Sequence, residues 1–120
     1  MAETQNKKVY DLEDRTYKFA KDIRLFVKLL PKSQSNFEDS KQLIRSSGSV
    51  GANYIEANES FSKKDFVLRM KISRKEAKES RYWLSLLEIT EEAMDLERQK
   101  LVKEATELMM IFGSIIRKQE

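Results

Sequence analysis

The chain has 120 residues, 36% of them charged, with a formal net charge of +3, a single proline, and neither cysteine nor histidine. One domain is expected at this length, and a Lys/Glu/Leu-rich composition favours helices over sheets. The missing residue types exclude disulfides, thiolate chemistry, and both the commonest general base and the commonest metal ligand.

Residues 1–10, "MAETQNKKVY", lack the apolar core of a signal peptide, and no apolar run in the chain reaches membrane-spanning length. A cytoplasmic protein without membrane contact is expected, with residues 1–10 as a flexible polar tail and residues 11–120 as the folded domain. From Asp11, the positions Leu12, Phe19, Ile23, Phe26 and Leu30 form one helical stripe that Pro31 ends. Ser35 followed by Glu38 fits a capping box for a second helix.

The stretch "SSGSVGANYIEANES", residues 46–60, looks like a loop but keeps helical spacing. Leu43, Ser47, Val50, Tyr54 and Ala57 recur at four and three through its glycines. The spacing therefore predicts one helix from Asn36 to Asn58. No strand precedes the glycines and no Gly-Lys-Ser/Thr follows them, which argues against a phosphate loop. Each glycine inside a helix costs about 1 kcal/mol relative to alanine, so a packing return is required. The expected return is close approach of Ser47, Gly48 and Gly51 to Ser73, Ala77 and Ser80 on the third helix.

That third helix starts at a Ser62–Asp65 pair and carries Phe66, Met70, Ser73, Ala77, Ser80, Leu84 and Leu87 on its core stripe. A break near "ITEEAMD" precedes a fourth helix with Leu101, Ala105, Leu108, Phe112 and Ile115. Short connections make neighbours antiparallel, so the expected fold is all-α, an antiparallel up-down four-helix bundle.

At about 100° per residue, Lys63, Lys64, Lys71, Arg74, Lys75, Lys78 and Arg81 share one sector of the third helix, without an acid among them. A merely solvated face mixes signs, so this ridge is a candidate nucleic-acid surface. With no aromatic platform read in that sector, binding without sequence preference is expected. A further sector, Leu68, Ile72, Glu76, Glu79 and Trp83, is a candidate oligomer interface. Asn53, Glu56 and Asn58 on the second helix, with Arg69, Glu76 and Glu79 on the third, are a candidate polar network inside the bundle or between subunits. Carboxylate-bridged metal sites in bundles use Glu-x-x-His, and this chain has no histidine. No metal, cofactor or catalytic residue is expected, and the chain reads as a non-enzyme.

Residues 44–87 resemble the four helix bundle protein family, also called the large-subunit rRNA intervening-sequence protein family. The matching features are Ala52-Asn53 and Glu56 after a small-residue run, then Lys64-Asp65-Phe66, then the cluster Arg81-Tyr82-Trp83-Leu84. The glycine that often follows the family's Ala-Glu pair is Asn58 here, displaced by one residue. The resemblance implies an antiparallel bundle assembled as a homopentamer. It also implies kinship with accessory proteins of diversity-generating retroelements, which bind a reverse transcriptase and nucleic acid. The function expected is a non-enzymatic oligomeric bundle that binds RNA or DNA, RNA favoured; the alternative is a protein-interaction scaffold. The resemblance implies no catalytic residues.

Overall fold

The computed structural model describes the backbone of residues 2–120 and the side chains of residues 12–120. Four helices follow one another: α1 (Ala2–Lys28), α2 (Gln34–Asn58), α3 (Lys63–Leu86) and α4 (Glu92–Gln119). Each packs against its sequence neighbours, and α1 closes the ring against α4, giving an up-down-up-down bundle. α1 runs on from Ala2, earlier than the start expected at Asp11. The side chains of the expected tail, residues 1–10, lie outside those described.

Ser33, not Ser35, caps α2. Its backbone is extended (φ −149°, ψ 162°), and its hydroxyl accepts from the Asn36 amide at 3.1 Å. Ser35 is already inside the first turn and donates instead to Glu88 Oε1 at 2.7 Å. Ser62 caps α3 as expected, accepting from the Asp65 amide at 3.0 Å. At the other end of α3, Arg98 Nη1 donates to the Leu87 carbonyl at 2.6 Å, placing a cation at the negative end of the helix dipole.

The expected stripes meet in one core. Phe19, Ile23, Leu43, Val50, Met70, Ala77, Leu84, Leu108 and Phe112 are each no more than 1% exposed. Tyr54 and Phe112 set their rings 6.2 Å apart in a tilted contact. On α4 the last core position falls to Ile116, with Ile115 half-buried beside it. Asn36, 2% exposed, links the two connectors at one end of the bundle. Its Nδ2 donates to the Pro31 and Glu88 carbonyls at 2.9 and 3.0 Å, and its Oδ1 accepts from the Glu88 amide at 2.8 Å.

α2 is one helix through its glycines, all of ordinary helical conformation. The glycines face α1, however, and not α3. A methyl group at Gly51 would lie 2.9 Å from Thr16 Oγ1, and one at Gly48 would lie 3.2 Å from Arg24 Nη2. The close seam with α3 is made by the serines. Ser46 and Ser80 hydroxyls are 2.9 Å apart, and Ser73 Oγ donates to the Val50 carbonyl at 2.9 Å. Ser47 is buried and turns its hydroxyl back to the Ile44 carbonyl of its own helix. α2 thus has a small-residue seam on each flank, and both bring backbones into dispersion contact.

Candidate nucleic-acid interface

The polar residues of α3 divide by flank. Toward α2, Arg45 reaches across to Glu76 Oε1 at 3.2 Å and Glu79 Oε1 at 3.3 Å. Glu76 is 6% exposed, so it is closed inside the bundle and does not serve the oligomer surface expected of it. Of that sector, Ile72 and Trp83 are half-buried, Trp83 against the core, while Leu68 stands 54% exposed. The expected polar network is two separate clusters. Arg69 Nη1 donates to Asn53 Oδ1 at 3.3 Å, apart from the Arg45 cluster, and Glu56 is exposed away from both.

Toward α4 the cations behave differently. Among the described residues, Lys63, Lys64, Lys71, Arg74, Lys78 and Arg81 make no ion pair. Lys75 alone of the expected ridge does so, with Glu79 at 3.9 Å. Arg81 Nη1 donates to the neutral hydroxyl of Thr106 on α4 at 3.3 Å. One stretch further along, Arg74 and Arg117 converge on Gly113 of α4. A methyl group there would lie 3.9 Å from Arg74 Nη1 and 3.4 Å from Arg117 Nη1. Two guanidinium groups thus border the space that a side chain at 113 would take, and among the described residues neither makes an ion pair. Arg117 was not readable from the α3 pattern, because it comes from the facing helix.

Tyr82 also belongs to this surface. It is 57% exposed, and it lies one and two helical turns beyond Lys78 and Lys75. The expectation of a ridge without an aromatic is therefore corrected. The angular position of Tyr82 among the lysines was legible all along.

Among the described residues, no group of three or more His, Cys, Asp or Glu side chains could hold a metal ion. Among the described residues, no helix is long and apolar enough to cross a membrane.

The 23S rRNA-intervening sequence protein family matches residues 8–114 of the chain. The chain belongs to that family. The fold is similar to the 1.70 Å crystal structure of a protein of unknown function from the S23 ribosomal protein family of Bacteroides thetaiotaomicron VPI-5482. The two share 35% sequence identity with a TM-score of 0.76, over 88% of this chain and 97% of that one. Comparison with curated proteins gives no match. In this member of the intervening-sequence family, the matched span contains all of α3 and its cationic flank.

Proposed function

We propose that this intervening-sequence family protein is a non-enzymatic, oligomeric bundle of the cytoplasm. It binds nucleic acid, RNA in the first place, through the cationic flank of α3 joined by Arg117. The convergence of Arg74 and Arg117 on Gly113 carries this reading. Like charges brought together without a carboxylate repel, and a phosphate is the counter-ion that would relieve them. Lysines and arginines of this kind neutralise the backbone without reading bases, so affinity depends on salt rather than on sequence.

The test is RNA binding by the whole chain at two salt concentrations, before and after Lys71, Arg74, Lys78 and Arg81 are changed to Gln. Four phosphate contacts predict a loss on the order of 50-fold to 150-fold in affinity between about 50 and 200 mM salt. The substituted chain should bind weakly and with a flatter salt response. Salt-insensitive binding, or unchanged binding by the variant, sinks the proposal.

A second reading, an interaction scaffold, draws on Leu86, 44% exposed one turn beyond the half-buried Trp83, and on Leu68, 54% exposed near the other end of α3. Light scattering on the same samples reads the assembly. A ring of five is the size the family resemblance implies, and a monomer would remove this face as a self-interface.

A further inference from the structure

From Tyr82 and the lysines beneath it, we infer that the α3 flank selects single-stranded nucleic acid over duplex, with an unpaired base stacked on the Tyr82 ring. The inference rests on the ridge being a nucleic-acid surface and adds which form of the polymer it takes.

Tyr82 is held but not covered. Its ring meets Trp83 in an edge contact, with centroids 5.1 Å apart and planes at 73°. Trp83 is itself packed against the core, so it fixes the tyrosine in place. An edge contact can occupy one face of the Tyr82 ring at most, and 57% of the residue remains exposed. The hydroxyl makes no hydrogen bond among the described residues, so the ring is held by Trp83 alone and its polar edge is left to solvent or a ligand.

The lysines supply the other half. Lys78 lies about 6 Å and Lys75 about 10 Å back along the helix axis at 1.5 Å per residue. A strand whose base lies on Tyr82 would therefore run its phosphates along Lys78 and on toward Lys71. Stacking on an aromatic beside a cationic track is how proteins hold single strands without reading their sequence. A duplex keeps its bases stacked on one another and could use only the cations.

The experiment is fluorescence anisotropy with a labelled single-stranded RNA 20-mer and with the duplex of the same sequence. The whole chain is compared with Tyr82→Ala and Tyr82→Phe. Tyr82→Ala should weaken single-strand binding roughly fivefold to 150-fold, the range for losing one base–aromatic stack. It should leave duplex binding and the salt slope unchanged, and Tyr82→Phe should bind as the unsubstituted chain does. Light scattering must give the same assembly for all three, which separates stacking from a role in oligomerisation. Equal binding of single strand and duplex by the unsubstituted chain overturns the inference. So does an equal loss for both forms on Tyr82→Ala, which would mean that the ring supports the cations rather than stacking an unpaired base. If the ridge cations matter and Tyr82→Ala changes nothing, only this inference fails. If the unsubstituted chain binds neither RNA, the nucleic-acid reading fails with it.

Discussion

The two flanks of α3 handle the same kind of charge in opposite ways. Toward α2, Glu76 and Glu79 close on Arg45, Asn53 takes Arg69, and buried hydroxyls of Ser46, Ser73 and Ser80 satisfy one another and the backbone. Toward α4, Arg81 meets the Thr106 hydroxyl, and Arg74 and Arg117 lie against Gly113, with no ion pair to any of the three among the described residues. On the first flank polar groups are consumed in joining two helices. On the second they are held at the surface without a counter-charge. Burial explains the first, since a polar group taken from water must find a partner or cost about 1–3 kcal/mol. Solvent allows the second, so its single-sign charge is free to serve a ligand.

Adding bulk to each flank should produce opposite signs, and this gives the largest effect. Ser80 is fully buried, contacting the Ser46 hydroxyl at 2.9 Å and donating to the Glu76 carbonyl at 2.9 Å. Ser80→Leu overpacks the seam and removes the cross-helix bond to Ser46, which keeps only its bond to the Leu43 carbonyl, and should lower unfolding stability by about 3 kcal/mol or more. At Gly113 an added methyl meets only the mobile ends of Arg117 and Arg74, at 3.4 Å and beyond. Gly113→Ala should therefore raise stability, by up to about 1 kcal/mol from helix propensity. Denaturant melts at one fixed protein concentration read both. If the two changes shift the midpoint in the same direction, the flanks do not differ as described.

What could be read from the sequence divides along physical lines. Core stripes were legible because burial imposes a period, and α2 could be followed through Gly48 and Gly51 because the period did not break there. The direction in which those glycines face was not legible. A helical wheel gives an angle within one helix but not which neighbour lies at that angle, and Thr16 of α1 rather than Ser73 stands opposite Gly51. Pairings between helices depend on their relative shift, which hid Arg45 as the partner of Glu76 and Arg117 as the companion of Arg74. Ser35 displaced Ser33 as the expected cap because Glu38 completes a capping box with Ser35, whereas Asn36 stands three residues after Ser33. The extended backbone at Ser33 and its bond from the Asn36 amide put the cap there instead. Tyr82 is a different case: its angle placed it among the lysines, but it entered only as part of the Arg81-Tyr82-Trp83-Leu84 motif of the family resemblance and was not set against the ridge.

The smallest effect asks whether charge pairing on the α2 side extends to the connector between α3 and α4. Glu88 accepts from Ser35 at 2.7 Å and Ser33 at 3.0 Å, and these hydrogen bonds, the Ser35 bond first, hold its carboxyl below the usual glutamate range. A carboxyl lowered in the folded state contributes stability above its unfolded pKa and loses it as pH falls through the folded one. Glu88→Gln removes that contribution at neutral pH, and in strong acid the unsubstituted chain has lost it too. The gap in stability between the two proteins should therefore be small at neutral pH and close as pH drops below the ordinary glutamate range. Glu88 is exposed, so solvent screening keeps the gap slight. Thermal melts across an acid pH series measure it, and a gap of constant size would mean that the Asn36 backbone clamp, not the Glu88 carboxylate, holds this end of the bundle.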